Sequence, residues 1–257
     1  MANKAKKLLW YSLSLLIWLL IWDITARALD VSFILPSVKD TAISFGSLAL
    51  KAVFWKSISL SLLRVLIGFT VGCILGFVFG VLTHFIPHFG YFISPVMSVI
   101  RATPVASVIL LLWFFIGSAR LPSTISVLIV APLVWQSTLN AFGSVSKELL
   151  ELAKIYSFSP TKRIRALYFP AILDHLLPAV LTSTGLAWKS GIAAEIISYT
   201  KNSIGKEISD SKNLLEGADM LAWTLTVIIL SFIIEYGIKY IHRRINEHRI
   251  KKSKQIL

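Results

Sequence analysis

A chain of 257 residues that is 56% hydrophobic, with a mean hydropathy of +0.74, is too apolar for a soluble domain of its length and must be integral to a membrane. Its net charge of +13, from 26 Lys and Arg against 13 Asp and Glu, could suit nucleic acid. Cations also collect on the cytoplasmic side of multi-pass membrane proteins, and that reading is preferred, with no nucleic-acid partner. The single cysteine, Cys73, excludes a disulfide or a Cys-based metal site within one chain.

Lys4, Lys6 and Lys7 precede an apolar run from Leu8 to Trp22, with Asp23 and Arg27 beyond it. Residues 1–29 read as a retained first helix entering from the cytoplasm; a signal peptide cleaved near Ala26-Arg27-Ala28 is the alternative. Residues 30–56 hold Leu35-Pro36-Ser37 and then Val38, Ala42, Phe45 and Leu48 at helical spacing, which predicts an interfacial helix on the outer surface. Residues 57–242 then form a five-helix core and 243–257 a basic tail, all within one transmembrane domain.

The first core span, Ser57 to Thr83, carries Gly68, Gly72, Gly76 and Gly80 at strict four-residue intervals. Such a ridge lets another backbone approach closely, either within the subunit or at a seam between two copies. His84 to Pro95 reads as an inner loop or short surface helix. Ser98 to Gly117, opened by Arg101-Ala102-Thr103-Pro104, reads as an outward span, Ser118 to Ser123 as a tight outer turn, and Thr124 to Phe142 as an inward span. The last of these holds Pro132 and Trp135-Gln136; membrane helices tolerate proline where neighbours satisfy the released carbonyl. After a polar loop at 147–170 come a span from Ala171 to Ser198 with Asp174, His175, Lys189 and Glu195, a polar outer segment from Thr200 to Asp219, and a last span from Met220 to Tyr240. The fold class is an all-α membrane protein of about six transmembrane helices.

Lys and Arg number three before residue 8, five from Lys147 to Arg165 and seven from Lys239 to Lys254. This distribution puts both termini and the 147–170 loop in the cytoplasm. Within the loop, helical spacing holds from Glu148 to about Tyr156 and is broken by Ser157-Phe158-Ser159-Pro160. Ser159 can cap a second helix with Pro160 in its first turn, predicting a basic helix over Thr161 to Tyr168 that ends before Pro170.

At these residues the chain resembles the permease subunits of binding-protein-dependent ABC importers. Their cytoplasmic loop has the pattern E-A-A, a glycine four residues on, then I-x-L-P ten residues later. Glu151, Ala153 and Pro170 fall in register, while Leu152, Ser157, Leu167 and Phe169 depart from the pattern. Leu35-Pro36-Ser37, Ser61-Leu62-Leu63-Arg64 with Gly68-Phe69, and Trp188 to Glu195 resemble the sulfonate, nitrate and taurine group of these permeases. The resemblance implies a type I importer core whose coupling helix docks into a cleft of an ATPase subunit. Glu151, Ala153, Ser157, Phe158, Ser159, Pro160, Lys162, Arg163, Arg165 and Pro170 would make that contact. It further implies two ATP-binding subunits that carry the ATP and Mg, a second permease copy in a homodimer, a separate extracytoplasmic solute-binding protein, and a bacterial inner-membrane location. The implied solute is a small anion such as a sulfonate, taurine or nitrate, with a vitamin-like heterocycle as the alternative. An amphipathic helix resting Lys162, Arg163 and Arg165 on lipid phosphates is the competing account of the loop.

Ionisable groups within the spans are the other candidates, because a charge at bilayer depth costs at least about 2.5–3.5 kcal/mol and turns inward. Arg64 and Glu195 sit roughly 5–12 Å below the outer surface on helices of opposite direction, so they can pair. The pair would be structural or take part in gating. Lys189, about 120° around the helix from Glu195, lies nearer the midplane and either lines the path or binds carbonyls of a neighbouring helix; Trp188 could line a cavity or pack.

An enzyme is the reading from another class, through His84, His88, Asp174 or His175. There is no HExxH, no GxSxG and no carboxylate cluster in a span. Gly185-Leu186-Ala187-Trp188-Lys189-Ser190 lacks the glycine before lysine of a phosphate-binding loop, so this chain needs no cofactor of its own.

Overall fold

The computed structural model describes residues 2–29, 31 and 33–254, and within them the chain is helix, turn and short connection throughout. The helices are α1 (Ala2–Leu29), α2 (Val38–Ala49), α3 (Ala52–Phe85), α4 (Pro87–Ala102), α5 (Val105–Gly143), α6 (Lys147–Ile155), α7 (Pro160–Arg163), α8 (Phe169–Ser198), α9 (Ile204–Asn213) and α10 (Gly217–Lys254), with one π turn over Ile164–Tyr168. Five of the helical stretches are long and apolar enough to cross a membrane: Leu9–Leu29, Ala52–Phe85, Val105–Gly143, Pro160–Ser198 and Gly217–Tyr240.

The expected span from Ser98 to Gly117 is broken. Between Phe85 and Gly117 the chain runs as α4 and then the first part of α5, separated at Thr103-Pro104, because the residue before a proline avoids the helical region. The expected turn at Ser118 to Ser123 is also corrected, since those residues are helical. Gly117 alone makes the break, with φ of 69° and ψ of 171°, a conformation open to glycine at little cost. Pro122, one turn on, has no N–H to offer the Ser118 carbonyl, and the Thr200 hydroxyl donates to that oxygen instead at 3.0 Å.

α5 is the centre of the bundle, packed along both α3 and α8. The second part of α5 runs parallel to α3, and the glycine ridge faces it. A β-carbon on Gly68 would overlap the Ser123 carbonyl; on Gly72 it would stand 2.8 Å from Val130 Cβ, and on Gly76 and Gly80 2.5 Å from the Ala131 carbonyl oxygen and Thr138 Cβ. The absent side chains are thus what brings the two backbones together, and dispersion across so close a seam holds them in lipid. α8 runs antiparallel to both, tied by Ser137 Oγ donating to the His175 carbonyl at 2.6 Å and by close approach of Gly191 to Val65.

The helix over 38–49 is partly turned from the expected face. Leu48 is buried and Phe45 packs on the core as expected, but Ala42 is exposed and Thr41 and Ser44 are buried in its place, with the Ser44 hydroxyl donating to Asp219 of α10 at 2.6 Å. α1 meets the rest through α2 and the turn before it, where Trp22 Nε1 donates to the Pro36 carbonyl at 3.1 Å.

Candidate functional site

At one end of the bundle the 144–168 segment makes a knob. α6 opens on Ser146, whose hydroxyl accepts from the Leu149 amide, and exposed Glu148 lies below the ordinary carboxylate range through its own backbone amide and the Ser146 hydroxyl. The helix closes with the Phe158 amide donating to the Ala153 carbonyl at 2.8 Å and the Ser157 amide to that of Lys154 at 3.0 Å. That is a Schellman cap, and its left-handed position is Ser157 at φ 49°. The serine standing where the resembled pattern has glycine therefore sits in a left-handed conformation that glycine adopts at little cost. Ser159 caps α7 by accepting from the Lys162 amide at 3.3 Å, with Pro160 in the first turn, and Lys162 Nζ lies 4.1 Å above the Phe158 ring.

The second helix of the loop does not end before Pro170. α7 passes through the π turn into α8, giving one helical stretch from Pro160 to Ser198. Pro170 sits in the first turn of α8, and the wider π turn accommodates the hydrogen bond and space that proline denies to a regular helix. The knob is thereby joined to a membrane-crossing helix without a flexible loop. Glu151, Ser159, Pro160, Lys162 and Arg165 are exposed, Ala153 is buried, and Phe158, Arg163 and Pro170 are half-buried. Leu149, Leu152, Ile155 and Tyr156 are exposed as well, at 47%, 47%, 75% and 72%. Treating the segment as polar and basic missed this apolar face, although its three-to-four-residue spacing is present in the sequence.

At the opposite end, Glu195 is fully buried and its carboxylate gathers three elements. It accepts from Ser61 Oγ at 2.7 Å and the Gly205 amide at 3.3 Å, with Arg64 Nη1 at 3.4 Å. Arg64 also donates to the carbonyls of Asn202 and Lys201 at 3.2 and 3.0 Å. The Ser61 hydroxyl in turn accepts from the Ile204 amide at 3.0 Å. A β-carbon on residue 205 would collide with Glu195 Cβ, so the carboxylate reaches the α9 N-terminus only because a glycine is there. Just outside, Asp210 is bonded by Lys206 and Tyr199; burial raises its pKa, but those two hydrogen bonds prevail and hold it low.

Trp188 packs instead of lining a cavity: it is 1% exposed and donates from Nε1 to the Val227 carbonyl of α10 at 3.1 Å. Lys189 is exposed in a groove of about 320 Å³ between α8 and α10, which it shares with Glu235 and Lys239. Asp174, His175, His84 and His88 form no group of three or more that could hold a metal ion among the described residues.

The family of binding-protein-dependent transport system inner membrane components matches residues 68–247. The chain belongs to this family. Among its relatives is a Bacillus subtilis (strain 168) permease provisionally named for aliphatic sulfonate transport, 23% identical over 89% of this chain and 83% of that one. A taurine transport permease of Escherichia coli K12 is 24% identical over 76% and 70% of the two chains, and a Synechococcus elongatus bicarbonate permease 25% over 75% and 69%. A solved chain of the inward-facing MetNI methionine ABC transporter aligns with a TM-score of 0.56 at 15% identity, covering 74% of this chain and 93% of that one. The all-helical bundle thus has the importer-permease fold, and the chain is a multi-pass inner-membrane transport component and not an enzyme.

Proposed function

We propose that this permease is one half of the translocation pathway of an ATP-driven importer for a small organic or inorganic anion of the sulfonate, taurine, nitrate or bicarbonate kind. Two copies enclose the path, two ATP-binding subunits that hold the ATP and Mg grip the knobs, and a solute-binding protein delivers cargo at the Glu195 end. The knob and both termini face the cytoplasm, in keeping with the cations at residues 147–165 and 239–254.

The observation that carries this reading is the continuity of knob and span. α6, closed by the Ser157 cap, turns directly into α7, and α7 runs through the π turn into α8. When the ATP-binding subunits close on ATP, displacement of the knob moves α8 and the α5 packed along it as rigid bodies, exposing the path to alternate sides. The exposed Leu149, Leu152, Ile155 and Tyr156 supply the apolar centre of the contact and Glu148, Glu151, Lys154 and Lys162 its charged rim. The glycine ridge is assigned to packing within one subunit, and the Arg64–Glu195 pair to holding the outer loop on the bundle.

The test is Glu151→Lys in the assembled importer. ATP hydrolysis loses its dependence on loaded solute-binding protein, or the ATP-binding subunit dissociates, while the chain still inserts. Normal transport by this variant would contradict the docking role.

A further inference from the structure

A second groove lies where α4 packs beside α3 and α5. It is an open, mostly apolar depression of about 590 Å³ in which Thr83, Tyr91, Ser94 and Gln136 supply the polar groups beside Trp135. Its α4 side follows the helical repeat: Pro87 and Ser94 are seven residues apart, and the next step of seven is Arg101. Arg101 borders the groove through Trp135, with its guanidinium carbon 6.0 Å from that ring's centre, although it does not itself line the groove. Arg101 has no carboxylate or hydrogen-bond partner among the described residues, whereas Lys189 shares its groove with Glu235.

Depth makes this placement informative. Trp135 stands eight residues from Gly143, the knob end of α5, so Arg101 lies about 12 Å up the bundle axis. An exposed, unpaired guanidinium facing hydrocarbon at that depth is costly, as is a row of hydroxyl and amide groups. Facing a watery path, the same groups are an anion site: a planar fork with five donors, the Gln136 amide and the Ser94 and Tyr91 hydroxyls. The Gln136 amide is oriented by donating to Asn140 Oδ1 at 3.1 Å, and Trp135 is held by donating to Thr83 Oγ1 at 3.1 Å.

We infer that Arg101, with Ser94, Tyr91 and Gln136 over the Trp135 ring, forms a contact site on the translocation path for a small oxyanion. The recognised group is a sulfonate, nitrate or carboxylate-like head with delocalised charge over its oxygens. The inference rests on the importer reading above and adds the residues that meet the solute inside the membrane.

The experiment uses the complete importer in proteoliposomes, with radiolabelled taurine, nitrate and bicarbonate as probes. Uptake of one or more of them by the unaltered importer is expected to fall about tenfold or more with Arg101→Gln and less with Arg101→Lys, as for loss of a charge-assisted contact. ATP hydrolysis stimulated by loaded solute-binding protein persists in both. A second readout leaves Arg101 intact: in a Cys73→Ala background, Ser94→Cys reacts with an anionic water-soluble thiol reagent, and the transported anion slows that reaction. Anion uptake unchanged by Arg101→Gln, or labelling at Ser94→Cys unaffected by the transported anion, overturns the site alone. An importer that moves a neutral or cationic solute and none of the three anions overturns the anion reading together with the site.

Discussion

Arg64→Met should damage the fold more than Glu195→Gln, although each removes one end of the same 3.4 Å ion pair. Glu195 is 0% exposed, whereas the Arg64 side chain is 19% exposed and keeps two backbone carbonyls as acceptors. Three donors and no acceptor meet the Glu195 oxygens, an arrangement suited to the ionised carboxylate. Losing Arg64 therefore strands a buried charge, at about 3–5 kcal/mol. Glu195→Gln gives up a charge-assisted hydrogen bond, about 1.5–3 kcal/mol, and leaves Arg64 bonded to the Lys201 and Asn202 carbonyls. The double variant should fall short of the summed losses by about 0.5–3 kcal/mol, the range for residues in contact. Monodisperse yield and Tm in detergent for the four proteins measure the cycle. Additive losses, or a larger loss from Glu195→Gln, would refute the stranded-charge reasoning.

Gly76→Leu should abolish assembly of a monodisperse protein, because even a β-carbon would stand 2.5 Å from the Ala131 carbonyl oxygen, while Gly237→Ala, with nothing within 4 Å, should be neutral or stabilising by up to about 1 kcal/mol. Equal yields of the two by size-exclusion chromatography would contradict that packing. Ser157→Gly should retain coupling and raise stability by up to about 1 kcal/mol, since it relieves a left-handed residue at φ 49°; a lower Tm would contradict the cap geometry.

Local signals were legible where one residue type imposes one geometry. The period-four glycines mark a close approach, and Ser159-Pro160 marks a helix start. The partner of the ridge was not legible, because a row of glycines carries no information about the surface that fills it. Pro170 misled for a related reason: proline forbids a regular α-helical hydrogen bond, but the π turn before it is set by packing of the whole segment and leaves no residue signature. Gly117 was read as the last residue of the outward span with the turn at Ser118 to Ser123, whereas its positive φ makes the break in one residue. Of the 38–49 face, Phe45 and Leu48 were legible but Ala42 was not, since the helix is rolled toward Ser44, whose hydrogen-bond partner Asp219 lies 175 residues away. Trp188 was open between packing and pathway until its Nε1 contact with Val227 resolved it.

The most direct test of the coupling account is a cross-link from the knob. Tyr156, 72% exposed on the apolar face of α6, is replaced by cysteine in a Cys73→Ala chain, and the importer is purified intact from its own membranes. Oxidation or a short bifunctional thiol reagent should join Tyr156→Cys to an ATP-binding subunit identified by mass spectrometry, with a yield that changes when ATP closes that subunit. A knob that labels freely in the assembled importer and forms no cross-link with or without ATP, while solute uptake continues, would contradict the account.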